Sequence, residues 1–146
     1  MTSGATHDQV RSRLASRDIR YTPGRRRVVT ALLDAGGPRS AAELHDDLNR
    51  HLPLSSLYRS LAVMSDALVL DPHNATKGLT RYELAEWLQG HHHHLVCIDC
   101  GSVEDIEIPD PVESNLKGLI AVITADREFA STGHSLEIDG RCRRCK

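Results

Sequence analysis

Three or four helical stretches followed by a strand pair, then a strand-rich segment around one more helix, predict an α+β chain in two parts. Two further observations support the division. Residues 1–65 carry 10 Lys and Arg against 6 Asp and Glu, whereas residues 66–146 carry 8 against 14, so a basic front precedes an acidic back. All four cysteines and a run of four histidines fall in the second half. Aromatic residues make up only 3% of the chain, so its cores must be built from Leu, Val, Ile and Ala. Small cores of that kind gain from a metal staple.

Each element has a local reason. Val10 and Leu14 lie on one face of a helix predicted over residues 7–18, which Tyr21-Thr22-Pro23-Gly24 breaks. Val28, Val29, Leu32 and Leu33 carry a second helix from Arg25 to Leu33, ended by Gly36-Gly37-Pro38. Ser40 with Glu43 three residues on is a capping box for a third helix bearing Leu44 and Leu48. Ser55 or Ser56 caps a fourth bearing Leu57, Leu61 and Met64. Val69-Leu70 and Arg81 to Leu84 form strands joined by a turn-rich loop from Asp71 to Gly78. That order is the order of a winged helix-turn-helix. Gly90 is the hinge. Beyond it, strands are expected at Leu95–Ile98, Val103–Ile108 and Ser135–Asp139. A helix through Val112, Leu116, Leu119, Ile120 and Ile123 lies between the last two, with Asp110 as cap and Pro111 at its first position.

The cysteines form two pairs, Cys97 with Cys100 and Cys142 with Cys145. A thiolate pair two residues apart grips one ion from a tight turn, and two pairs close a tetrahedral four-thiolate site suited to Zn2+. Two disulfides are the alternative. The sequence carries no secretory signal and no transmembrane run, which favours a reducing, cytoplasmic setting and metal. On an extended backbone the histidines alternate faces, His91 and His93 to one side and His92 and His94 to the other, so one short strand can feed two metal sites.

At these residues the sequence resembles the ferric uptake regulator family of metal-sensing repressors. The resemblance rests on Ser55-Ser56-Leu57-Tyr58-Arg59-Ser60-Leu61, Arg81-Tyr82-Glu83-Leu84, His91 through Gly101, and His134 followed by Cys142-Arg143-Arg144-Cys145. It implies a homodimer that binds an operator in double-stranded DNA. A winged-helix domain over residues 1–85 would be joined by a hinge at 86–90 to a metal-binding dimerisation domain over 91–146. Tyr58 and Arg59 match the recognition helix, and Arg20 and Arg25 match basic positions near the backbone or minor groove. Packing of Tyr58 in the small core is the competing expectation for that residue.

The resemblance implies three metal sites. Cys97, Cys100, Cys142 and Cys145 match the structural zinc site. His91, His93, Glu113 and His134 match a site within the dimerisation domain, although Glu113 also completes a capping box with Asp110. Glu83, His92, His94 and Asp105 match the interdomain sensing site, which takes a second divalent metal, Fe2+, Mn2+ or Zn2+. Here the chain departs from the family. The histidine that iron sensors bring from the DNA-binding domain falls near Pro38-Arg39, the cysteine of zinc sensors falls on Ala85, and their aspartate falls near Leu70-Asp71. His73 and Asp71 in the wing are the residues that could supply the missing ligand. Metal storage or delivery without DNA leaves the basic half unexplained. A zinc hydrolase lacks any H-E-x-x-H spacing.

Overall fold

The structure, a computed structural model, describes residues 2–74 and 78–146. Residues 75–77 of the expected wing loop lie outside it. Four helices come first: α1 (Ser3–Ala15), α2 (Pro23–Asp34), α3 (Ala41–Asp47) and α4 (Leu54–Asp66). Strand β1 (Arg39–Ser40) precedes α3, while β2 (Leu70–Asn74) and β3 (Thr80–Leu84) follow α4 in an antiparallel sheet of order β1-β3-β2. Val10, Leu14, Val28, Leu44, Leu57 and Leu61 are fully buried in the core beneath it. This part is the winged helix-turn-helix.

Local chemistry sets the boundaries and corrects several expectations. Thr22 both lies in the break between α1 and α2 and caps the second: its side chain accepts from Arg25 N, and Pro23 takes the first turn, where its missing N–H costs nothing. The Ser40–Glu43 capping box forms in both directions. Neither Ser55 nor Ser56 caps α4. Pro53 holds that position with extended ψ, and its carbonyl accepts from Leu57 N at 2.9 Å, so both serines lie inside the first turn. Asp71 to Asn74, expected as loop, continue β2. Pro72 is tolerated there because β2 is an edge strand.

The short α5 (Glu86–Gln89) leads to Gly90, whose φ of 88° favours glycine. There follow β4 (His93–Cys97), β5 (Val103–Ile106), α6 (Asp110–Thr124) and β6 (Glu137–Gly140). The sheet order is β5-β4-β6, with β4 antiparallel to β5 and parallel to β6. The expected box between Asp110 and Glu113 does not form: Pro109 is the cap residue, and no side chain caps the helix. Glu113 is thereby free for other partners. Strand β6 starts at Glu137 rather than at Ser135, so His134 lies in the segment ahead of it.

The two parts differ in how they are held. Beyond Leu88, the buried apolar residues among those described are only Val96 and Cys97. Helix α6 buries none of its residues, and it exposes Val112, Leu119, Val122 and Ile123. Among the described residues, no helix is long and apolar enough to cross a membrane.

Candidate metal centres

Strand β4 delivers His93 and His94 to opposite faces, as pleating requires, and His91 and His92, in the segment ahead of the strand, join them one to each side. On one face, His93 Nε2 stands 2.9 Å from Glu113 Oε2, and His134 Nε2 stands 2.9 Å from Glu113 Oε1. His91 Nε2 lies 3.3 Å from the same Oε1 and 3.2 Å from His134 Nε2. His93 is 1% exposed, whereas His91 at the edge of the group is open to water. The hydrogen bond from His93 holds the Glu113 carboxyl below its ordinary range despite desolvation. Behind the group, Glu86 takes His91 Nδ1 at 2.7 Å, which leaves Nε2 to face inward.

On the other face, Glu83 reaches across from β3. Its Oε2 lies 3.0 Å from His92 Nε2 and 3.2 Å from His94 Nε2. Asp105 Oδ1 closes the set, 3.4 Å from His94 Nε2 and 3.8 Å from His92 Nε2. The Gly90 carbonyl accepts from His92 Nδ1 at 3.0 Å, again presenting Nε2 to the centre. Burial opposes ionisation of Glu83, but hydrogen bonds from His73, His94 and His92 outweigh it and hold the carboxyl far below the carboxylate range. Burial pushes Asp105 up.

The four cysteines are free of disulfides and share one corner. Cys100 Sγ lies 3.7 Å from Cys142 Sγ, and Cys142 N donates to Cys97 Sγ at 3.4 Å. The pairing of Cys97 with Gly140 in the β4–β6 register brings the two turns together across 45 residues. Backbone donors from Cys100 and Cys142 lower the Cys97 thiol to about 6, while the hydrogen bond with Cys142, followed by desolvation, pushes Cys145 up to about 12. Thiols so crowded cannot all ionise without a cation among them.

Each of the three groups keeps its ligand atoms within 4.8 Å of one another, the spread that a single ion's donors span. Asp105 Oδ1 and Glu113 Oε1 are buried without a hydrogen-bond partner, although imidazole nitrogens stand close to both. Nitrogen and oxygen that converge at contact distance without sharing a proton suit a divalent ion between them. The twelve residues anticipated as ligands thus fall into the three expected groups.

On the winged helix, Tyr58 is 53% exposed, which excludes the core-packing expectation, and Arg59 beside it is exposed too. The buried face of α4 is Leu57, Ser60, Leu61 and Met64. Arg20 is exposed, and its carbonyl accepts from Arg25 Nη1 at 2.5 Å, so Arg25 ties the loop before α2 to that helix.

Besides the Glu83 site it anticipated, sequence reasoning missed a second contact between the parts. The Gly36 carbonyl accepts from Asp105 N at 3.3 Å, and a Cβ on Gly37 would stand 2.6 Å from the Val103 carbonyl oxygen. Only the absence of a side chain lets this turn meet β5. Gly37→Ala is therefore expected to cost the closed arrangement about 1–3 kcal/mol. The readout is faster proteolysis around Gly90 with unchanged melting of the first core; an unchanged cleavage rate would show the contact to be dispensable. Gln89 also escaped notice. Its Nε2 donates to Glu83 Oε2 at 3.4 Å, a contact with no motif to flag it.

A sequence model of the ferric uptake regulator family matches residues 16–139. The ferric uptake regulation protein of Bacillus subtilis (strain 168) is 32% identical over 143 residues, covering 94% of this chain and 93% of its own. The zinc uptake regulation protein of Mycobacterium tuberculosis (strain H37Rv) is 32% identical over 136 residues, covering 91% of this chain and 99% of its own. Among solved structures, the Vibrio cholerae ferric uptake regulator superposes with a TM-score of 0.71 at 30% identity, over 90% of this chain and 98% of that one.

Proposed function

This chain belongs to the ferric uptake regulator family, and from that premise we propose a metal-gated homodimer that grips operator DNA when a divalent ion is bound. It is a metal-responsive transcriptional regulator and not an enzyme. We assign residues 1–85 to DNA binding, 86–90 to a hinge and 91–146 to metal binding and dimerisation. The observation that carries the gating is Glu83. It rises from the wing, yet its carboxylate meets His92 and His94 on the other sheet.

Cys97, Cys100, Cys142 and Cys145 hold structural zinc in this reading, and Glu83, His92, His94 and Asp105 hold the sensed ion, Fe2+, Mn2+ or Zn2+. His91, His93, Glu113 and His134 hold a further ion within the dimerisation domain. Such an ion supplies a positive centre for donors that otherwise repel or compete for protons. Glu83 then binds the wing to β4, and the recognition helices of the two chains sit about one turn of DNA apart. A preference of ~100-fold for the closed form corresponds to ~2.7 kcal/mol of coupling. The second chain covers the exposed apolar stripe of α6, where Val112, Leu119 and Ile123 recur at helical spacing. A cytoplasmic location follows from a DNA partner and reduced thiols.

The test is anisotropy of a labelled palindromic AT-rich duplex, titrated with Fe(II), Mn(II), Zn(II) and Ni(II) and then with chelator. Binding indifferent to metal would end the gating hypothesis. Tyr58 offers its ring to a thymine methyl and Arg59 its guanidinium to a phosphate or guanine edge. Tyr58→Ala and Arg59→Ala should each weaken binding with metal content and dimerisation intact. Loss of Arg59 should also reduce the salt slope by about one unit if it neutralises one phosphate. Unaltered affinity in both variants would assign DNA contact to another surface.

A further inference from the structure

The Glu83 carboxylate is used on both sides. Oε2 faces His92 and His94 from the second sheet, while Oε1 faces His73 from the wing, with His73 Nε2 at 2.5 Å. The register explains the approach. His73 pairs across β2 and β3 with Arg81, so it is the diagonal neighbour of Glu83 on the same face. Its ring also stands edge-on to that of His94, with centroids 5.2 Å apart. Imidazole pairs within the two histidine-bearing clusters are spaced 4.7 to 5.3 Å, so His73 sits relative to His94 as those histidines sit to one another. A cavity of about 220 Å³ bordered by His73, His94, Asn74 and Glu137 adjoins the pair, so the His73 ring is not locked by close packing on that side.

We propose that His73 is a fifth ligand of the interdomain site, borne by the wing. It rests on the reading of Glu83, His92, His94 and Asp105 as that site. With His73 the donor set becomes three imidazoles and two carboxylates. Three nitrogens favour metals with an affinity for imidazole, such as Fe(II), Co(II), Ni(II) or Zn(II), over the oxygen-preferring Mn(II). The wing then carries two adjacent ligands on two strands, so closure fixes the whole hairpin rather than one side chain.

Co(II) is the probe, because its d–d absorption reports coordination number and donor type. The full-length chain, with zinc in its thiolate site, is titrated as wild type, His73→Ala, His73→Gln, Glu83→Ala and His134→Ala. The spectral component lost in Glu83→Ala but kept in His134→Ala belongs to the interdomain site. His73→Ala is expected to shift that component's bands and weaken its affinity by tenfold or more. His73→Gln keeps a hydrogen-bond donor for Glu83 and should not restore the bands. Unchanged bands in both His73 variants would overturn the proposal, whether affinity falls or not, since His73 would then be only a hydrogen-bond partner. A Glu83→Ala protein that keeps every Co(II) component would instead remove the site reading itself.

Discussion

Cys97→Ser is expected to unfold the second sheet and leave the protein unable to dimerise. The reason lies in what that sheet lacks. Val96 and Cys97 are its only buried apolar residues among those described, and α6 buries nothing within its own chain. On the proposed reading, metal closure and burial against a second copy offset the entropy of ordering it. Structural zinc contributes on the order of 10 kcal/mol to a fold that closes around it, as much as the whole net stability of a small domain. Loss of one thiolate removes most of that, and the dimer surface goes with the sheet that carries it. Far-UV circular dichroism, zinc content and sedimentation should change together, and a strong chelator should reproduce the effect in the wild type. The winged helix, with its own core, should persist as a separate melting unit. A Cys97→Ser protein that stays dimeric with unchanged melting and zinc content would remove the structural role.

Separation of the two histidine pairs is the second large effect. Glu83→Ala and His92→Ala should each abolish metal-dependent DNA binding, a loss on the order of 100-fold, with the dimer retained. Both break the bridge between wing and β4 and leave the dimer surface untouched. His91→Ala and His134→Ala should instead lower metal stoichiometry or weaken the dimer, because their partners Glu113 and His93 lie wholly within the second part. Operator affinity titrated with metal, alongside dimer mass, distinguishes the pairs. If His91→Ala and His92→Ala behave alike in both readouts, the run acts as one chelating patch and the two faces of β4 have no separate roles.

What the sequence made legible was what depends on period and spacing. The four histidines divide two and two as expected, although only His93 and His94 lie on β4 and His91 and His92 reach their groups from the segment ahead of it. A Cys-x-x-Cys turn places two sulfurs together without reference to the rest of the fold. The helices of the first core followed from their apolar stripes, and Ser40 with Glu43 from a box that closes locally. Failures came where distant partners decide. Glu113 has the spacing of a capping residue, but three imidazoles, from β4 and from the segments before β4 and β6, claim its carboxylate. Pro72 and His73 carry loop-like signals, yet pairing with β3 extends the strand through both. The approach of Gly37 to β5 is written in no local pattern, since it depends on how two separate units meet.

The parallel pairing of β4 with β6 has a kinetic consequence. Antiparallel β4 and β5 can zip from a short turn, but β6 must return across α6 before it can join them. Long-range pairing of this kind is slow, because loop closure precedes any contact that rewards it. The winged helix, rich in local contacts, should form first. Until β6 docks, Cys97 and Cys100 wait for sulfurs more than 40 residues away along the chain. Those uncommitted thiols are nucleophiles whenever they ionise, with no metal to hold them. Oxidative stress would therefore strike the nascent or metal-starved chain far harder than the finished one, so that redox damage is governed by folding time rather than by exposure in the native state.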